Sequence, residues 1–168
     1  TDGGEHLRRY LIVHLNDVFS LPRYLMGMQD LLMAIVMEPE LVKALVEMSV
    51  TINLELAKEV AARGAKIVYT GDDYAYNKGP LMSPKHFREF FYPGLCRVMG
   101  GYKELGLYVI KHTDGNLWPI IDMIVDSGID YTHADLYLNV VINQGEIPAA
   151  LKSQVTDTAR DGRLNLYD

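Results

Sequence analysis

Ionisable and hydrogen-bonding side chains follow four short apolar runs of the sequence. These residues are Asn16 and Asp17, Asp72 and Asp73, His112 and Asp114, and His133 and Asp135. If the runs are strands of one parallel sheet, their carboxyl ends meet at one edge, which is where such sheets bind ligands. The pattern therefore predicts a functional site at that edge, with ordinary helix caps and turns as the structural alternative.

The run "YVIKHTDG" carries the most specific arrangement of these groups. Because side chains alternate along a strand, His112 and Asp114 share one face, while Lys111 and Thr113 point to the other. A neutral imidazole beside a carboxylate can chelate a divalent metal such as zinc, or act as an acid/base pair. We therefore predict catalytic or metal-binding roles for His112 and Asp114. The structural alternative is that Asp114 caps the helix that follows.

Two adjacent carboxylates stand at the end of another apolar run, in "YTGDDYAYNKGPLMSP". Alternation along the strand places Asp72 with Val68 and Thr70, and we expect Asp72, rather than Asp73, to face the cavity. Both aspartates are candidates for catalysis. The loop that follows is rich in tyrosine, and we expect Tyr74 to line a substrate pocket. A solvated loop without a role is the alternative.

Three helical segments each end in a glycine that is followed at once by an apolar run, at Gly64, Gly106 and Gly128. A glycine just past a helix end adopts the left-handed conformation that reverses the chain, as in helix-to-strand connections. Alternating helices and strands predict an α/β fold with a parallel sheet. The pattern leaves open whether this sheet is open and doubly wound or closed into a (β/α)8 barrel.

The most regular helical pattern runs from Pro39 to about Arg63. Proline is favourable in the first turn of a helix. Apolar residues spaced by three or four positions predict the buried stripe of this helix, which comprises Leu41, Leu45, Met48, Ile52, Leu56 and Val60. A second helix begins at Pro84, capped by Ser83, and we expect it to kink at Pro93.

The chain has 168 residues, of which 49% are apolar and 23% charged, so it can bury a core. We interpret it as a single domain over residues 1–168, with the weakest pattern in the tail, 137–168. The net charge of −6 argues against nucleic acid and anionic membranes as partners. No apolar run reaches the roughly 18 residues that span a bilayer. The single cysteine, Cys96, cannot form an internal disulfide, which favours a reducing, cytoplasmic location.

Several of these motifs together resemble a known family. The segments "YLMGMQDLLMAIVMEPELVKALVE", "GDDYAYNKGPLMSP" and "HTDGN" are similar to the central part of the uroporphyrinogen decarboxylase superfamily. The resemblance covers about residues 11–135 and implies a (β/α)8 TIM barrel with its site at the carboxyl ends of the strands. Since such a barrel normally needs about 250 residues, we expect this chain to supply five or six of the eight βα units.

The resemblance implies one of two chemistries. Decarboxylases of the superfamily remove carboxyl groups from a tetrapyrrole without metal or cofactor, whereas its cobalamin-linked methyltransferases use zinc and a corrinoid carried by a partner protein. His112 falls on the first ligand of the His-x-Cys zinc motif of the methyltransferases, and Asp114 stands where that motif has cysteine. Tyr24 falls at a position similar to a substrate-contacting tyrosine of the decarboxylases.

Charge favours the methyltransferase class. Acidic strand ends suit a cation better than they suit a polycarboxylate such as uroporphyrinogen. We therefore predict a methyltransferase-like enzyme that acts on a small molecule. Substrate contacts are expected from Tyr24, Tyr74, Asn16 and His133. The alternatives are a decarboxylase proper, which needs no cofactor, and a non-catalytic barrel fragment. Such a fragment would serve as an interaction module or as half of a homodimer, because its open sheet edges must be paired or covered.

Overall fold

A computed structural model of the chain describes residues 12–129. Its strands are β1 (Ile12–Leu15), β2 (Ile67–Thr70), β3 (Ala75–Tyr76), β4 (Gly79–Pro80) and β5 (Tyr108–Lys111). Strands β1, β2 and β5 form a parallel sheet in that spatial order, while β3 and β4 form a small antiparallel hairpin. In the register of the sheet, Thr70 pairs with Leu15 on one side and with Lys111 on the other.

Helices connect the strands and cover one face of the sheet. They are α1 (Ser20–Met26), α2 (Met28–Met37), α3 (Pro39–Ala62), α4 (Pro84–His86), α5 (Tyr92–Glu104) and α6 (Ile121–Asp126). A π-helical turn, Phe87–Phe91, joins α4 to α5, and a 3₁₀ turn, Trp118–Ile120, precedes α6. The order of strands and helices confirms the predicted parallel α/β fold.

The predicted helix ends agree with the structure. The Ser83 hydroxyl accepts a hydrogen bond of 3.1 Å from the backbone N–H of His86, as expected of an N-cap. Proline has no N–H to donate and its ring crowds the preceding turn, and the backbone widens into the π-helical turn just before Pro93. The three helix-ending glycines all have positive φ angles, between 72° and 98°.

The core lies between the sheet and helices α3 and α5. Val68 of β2 and Val109 of β5 are fully buried on this face, and they are neighbours in the sheet register. On the opposite face Ile67 and Ile110 are half-buried and Tyr108 is exposed. Burial of the sheet is therefore complete only on the face that the helices cover.

The buried face of α3 differs from the prediction. Its buried residues are Val42, Val46, Ser49, Val50, Asn53 and Ala57. Four residues of the expected stripe are 37 to 47% exposed, namely Leu41, Met48, Ile52 and Leu56. The polar side chains of Ser49 and Asn53 point inward because both donate to the backbone carbonyl of Asp17 just after β1, at 2.8 and 2.7 Å. From the sequence alone, a helix stripe that contains serine and asparagine is predicted to face solvent, because the buried carbonyl that binds them is not known.

Some expectations lie outside this description. Closure of the sheet into an eight-stranded barrel, with five or six βα units in this chain, stays a prediction, as does the single domain over 1–168. The tail, 137–168, lies outside the described residues. Within residues 12–129, no helix combines the length and the apolar character needed to cross a membrane.

Candidate metal centre at the strand ends

Three predicted site residues, Asp73, His112 and Asp114, come together beyond the carboxyl ends of β2 and β5. One ligand atom from each lies within 4.8 Å of the other two. Thr70 and Lys111 are paired in the sheet, so Asp73 and Asp114 each follow a paired residue by three positions. The backbone N–H of Asp114 donates to Asp73 Oδ1 at 3.0 Å, which ties the two strand ends together.

The imidazole of His112 is held against the sheet. Its ring stacks on Tyr69, with centroids 5.8 Å apart and an interplanar angle of 23°. The His112 backbone N–H donates to the carbonyl of Thr70 at 2.7 Å. Its Nε2 lies 3.6 Å from Asp114 Oδ1. The Asp114 side chain is 55% exposed, so this group of residues opens to solvent on one side.

One imidazole nitrogen and two carboxylates form a donor set that fits a divalent ion such as zinc, or manganese with its preference for oxygen ligands. No cysteine belongs to this group. In the part of the chain that the structure describes, it is the one set of three or more such residues within reach of a single ion.

Asp72 lies on the opposite side of the sheet, and the expectation that it faces the cavity is wrong. It is fully buried, and its Oδ2 accepts hydrogen bonds from the backbone N–H groups of Phe19 at 2.6 Å and Ser20 at 2.9 Å. Alternation itself held, since Val68, Thr70 and Asp72 are all buried on one side. That side faces the helices. A carboxylate is stable there because it accepts hydrogen bonds from backbone N–H groups at the start of α1, which have no partner within the helix.

Lys111 forms the centre of a buried polar network behind the sheet. Its Nζ lies 2.8 Å from Asp17 Oδ2, and both side chains are fully buried. The same Nζ donates to the backbone carbonyls of Asp72 and His112, at 2.9 and 2.8 Å. The Tyr74 hydroxyl donates to Asp17 Oδ1, and Nζ lies 4.9 Å from the centroid of the Tyr74 ring.

This network holds two carboxyl groups against one lysine. Burial and the nearby Asp72 charge raise the pKa of Asp17 from 3.8 to about 8. Burial also acts to raise the pKa of Asp72, but hydrogen bonding with Asp17, the charge of Lys111 and bonds from Ser20 outweigh it and hold that pKa at about 2. With its proton on Asp17, the group as a whole is neutral, which is the inexpensive state for buried charges.

The remaining predicted residues do not belong to the three-residue group. Tyr74 is fully buried between Asp17 and aromatic side chains, so it does not line an open pocket in this structure. Tyr24 is 69% exposed on α1, where its hydroxyl accepts from Arg23 at 3.2 Å. Asn16 is half-buried. His133 lies outside the described residues.

The sequence reasoning missed Lys111 as a structural centre. Its signal was present, because alternation placed Lys111 on the same face as the apolar Val109. A lysine on a face covered by helices must find partners that compensate for its lost hydration. Asp17 and Asp72 supply that compensation, so two of the polar strand ends serve the buried face of the sheet.

Comparison with known proteins identifies the family. The sequence model described as "Uroporphyrinogen decarboxylase (URO-D)" matches residues 8–149. The chain belongs to the uroporphyrinogen decarboxylase (URO-D) family. This confirms the resemblance seen in the "GDDYAYNKGPLMSP" and "HTDGN" segments.

A solved structure supports the fold assignment of this URO-D family chain. A methyltransferase from Methanosarcina mazei superposes with a TM-score of 0.63 at 18% sequence identity, covering 71% of this chain and 34% of its own. The chain thus spans about a third of that structure, and the similarity at this identity concerns the fold. No curated protein matches the chain significantly.

Proposed function

We propose that this URO-D family chain is part of a metal-dependent methyltransferase, in which Asp73, His112 and Asp114 hold a divalent ion. The observation that carries the proposal is the meeting of three ligand atoms within 4.8 Å at the carboxyl ends of two parallel strands. That is the edge at which parallel α/β folds bind ligands. The structural similarity to a methyltransferase agrees with this choice of reaction class.

Each of the three residues has a distinct part in this proposal. His112 offers Nε2 from a ring that stacking on Tyr69 keeps in orientation, as outer contacts do for metal-binding histidines. Asp73 is oriented by the backbone N–H of Asp114. Asp114, on the exposed side, leaves room for substrate. A bound ion would supply Lewis-acid chemistry, polarising the oxygen of a methyl ether or lowering the pKa of a thiol.

Electrostatics distinguishes this proposal from a cofactor-free decarboxylase. Asp73 and Asp114 place two carboxylates beside His112, and this arrangement attracts a cation while it repels a polycarboxylate substrate. The contact of 3.6 Å between His112 and Asp114 also suits an acid/base pair, and decarboxylation is therefore the second candidate. A corrinoid on a partner protein as methyl carrier is part of the methyltransferase proposal and rests on the family resemblance.

Metal analysis tests the proposal. We expect the purified protein to bind about one Zn²⁺ or Co²⁺ per chain in calorimetry, with His112→Ala weakening binding at least about tenfold, because it removes the one nitrogen ligand. His86→Ala is the matched control, since His86 is half-buried on α4 and outside the three-residue group. Equal ion binding by wild type and His112→Ala would refute the metal site. Decarboxylation of a tetrapyrrole substrate that persists in the presence of a metal chelator would favour the second candidate, a cofactor-free decarboxylase.

A further inference from the structure

We infer that Lys111 is a positioning residue for Asp73 and His112, acting from behind the sheet through their backbone. This inference rests on the proposed metal centre and names a residue outside it. Lys111 points away from the three ligand side chains and is fully buried on the helix-covered face. Its contacts nevertheless end on the main chain of the two strand ends that carry the ligands.

The geometry of these contacts explains the connection. Lys111 Nζ donates to the carbonyl of Asp72 at 2.9 Å, and this carbonyl lies in the peptide plane that leads into Asp73. Nζ also donates to the carbonyl of His112 at 2.8 Å, which is bonded to the same Cα as the imidazole side chain. A single ammonium group therefore sets the spacing of the two backbones beyond the end of regular β pairing.

The position of the ammonium is itself over-determined. Oδ2 of the Asp17 carboxyl group lies 2.8 Å from Nζ, and the centroid of the Tyr74 ring lies 4.9 Å from Nζ. A lysine has three N–H donors, and two of them are used in the hydrogen bonds to the carbonyls of Asp72 and His112. An ammonium group held by two hydrogen bonds and by the close Asp17 oxygen has little freedom to move, and it can hold the strand ends at a fixed separation.

A lysine that served only the fold could be replaced by an apolar side chain at little cost once its partner charge is also removed. A positioning role predicts more than lost stability, because the distance between Asp73 and His112 would then change. Measurements on the ligand residues themselves can therefore distinguish a positioning role of Lys111 from a purely structural one.

The test compares Lys111→Met, and the charge-balanced pair Lys111→Met with Asp72→Asn, with the control Asn53→Ala. Asn53 donates to the carbonyl of Asp17 at 2.7 Å, so the control damages the same network without touching either carbonyl that Lys111 holds. One readout is Co²⁺ affinity and the visible spectrum of the bound ion. The other is amide hydrogen exchange of Asp114 in metal-free protein, because that N–H donates to Asp73 Oδ1.

We expect the Lys111 variants to bind Co²⁺ about 10-fold more weakly, the usual cost of losing an outer contact, with an altered spectrum. The Asp114 amide should exchange faster in them, while Asn53→Ala keeps wild-type affinity, spectrum and exchange. Wild-type values in a folded Lys111 variant would overturn the inference. So would unfolding of both Lys111 variants under conditions where Asn53→Ala stays folded, because the role of Lys111 would then be in the fold.

The two proposals fail in different ways. If the wild type binds no ion, the metal centre is refuted, and the exchange of the Asp114 amide alone decides whether Lys111 positions the strand ends. If the wild type binds an ion and the Lys111 variants bind it equally well, only the positioning role is refuted.

Discussion

The buried carboxyl of Asp17 should make the stability of this protein fall as the pH rises from about 4 to about 8. Burial raises its pKa from 3.8 to about 8 in the folded chain. Across that window the unfolded chain has released the proton that the native state retains, so unfolding is favoured increasingly at higher pH. Each unit of pKa difference corresponds to about 1.4 kcal/mol, so the loss in the free energy of unfolding reaches roughly 6 kcal/mol at the upper end.

Asp72 acts in the opposite sense and over a different range. Its folded pKa of about 2 lies below the ordinary value of 3.8, so its contribution is present above pH 4 and is lost as the pH falls toward 2. The difference of about two units corresponds to roughly 2–3 kcal/mol. The two carboxyl groups together place the greatest stability near pH 4 to 5.

Replacement of Asp17 by asparagine isolates its contribution. In Asp17→Asn the titrating carboxyl is gone, while Lys111 keeps Asp72 as its compensating charge. We expect urea unfolding, followed by circular dichroism at several pH values between about 5 and 8, to show a much smaller pH slope than in wild type. Asp30→Asn, at an exposed site on α2, should retain the wild-type slope.

The comparison of slopes is decisive because every other titratable group that the two substitutions leave in place is common to all three proteins. Equal pH slopes for wild type and Asp17→Asn would show that the native carboxyl is already ionised. In that case the neutral, proton-sharing description of the buried network would be wrong.

Two further predictions concern packing. Gly115→Ala should lower the free energy of unfolding, measured in urea, by about 2–4 kcal/mol. The reason is that a Cβ at φ +93° would lie 2.5 Å from the carbonyl carbon of Ala75 in the hairpin. Gly27→Ala is the control and should lower it by only about 1 kcal/mol, because Gly27 has φ +85° but no atom within 4 Å of the added Cβ. Equal losses would contradict the close approach. Val42→Ala should lower the free energy of unfolding by about 2 kcal/mol and Leu41→Ala by less than about 1 kcal/mol, since Val42 is fully buried and Leu41 is 39% exposed. The reverse order would show that the stripe predicted from the sequence is the buried one.

Local rules predicted much of the fold. Glycine at helix ends, Ser83 before Pro84 and the crowding caused by Pro93 depend on a few adjacent residues, and each agrees with the structure. Alternation along β5 correctly separated His112 and Asp114 from Lys111. These features were predictable because the forces that determine them act within a turn or a strand.

The wrong assignments depended on contacts between distant segments. The buried face of α3 contains Ser49 and Asn53, whose inward orientation follows from a carbonyl more than 30 residues away. The neighbouring stripe of leucine, isoleucine and methionine is more hydrophobic, so the sequence pattern favours it as the buried face. No local pattern in the sequence shows that a buried acceptor, the carbonyl of Asp17, lies opposite the polar stripe.

The two faces of the sheet explain why polar strand ends were only a partial guide to the site. Beyond β2 and β5 the chain turns alternate carboxylates to opposite sides, Asp72 toward the helices and Asp73 toward His112. A carboxylate on the helix-covered side survives burial because Lys111 and the start of α1 compensate its charge, whereas one on the open side has solvent or an ion as its partner. The discriminating feature in the sequence is therefore the lysine that shares a strand face with Val109. It indicates that some of the acids are buried as its partners, and the remaining acids are the candidates for the proposed site.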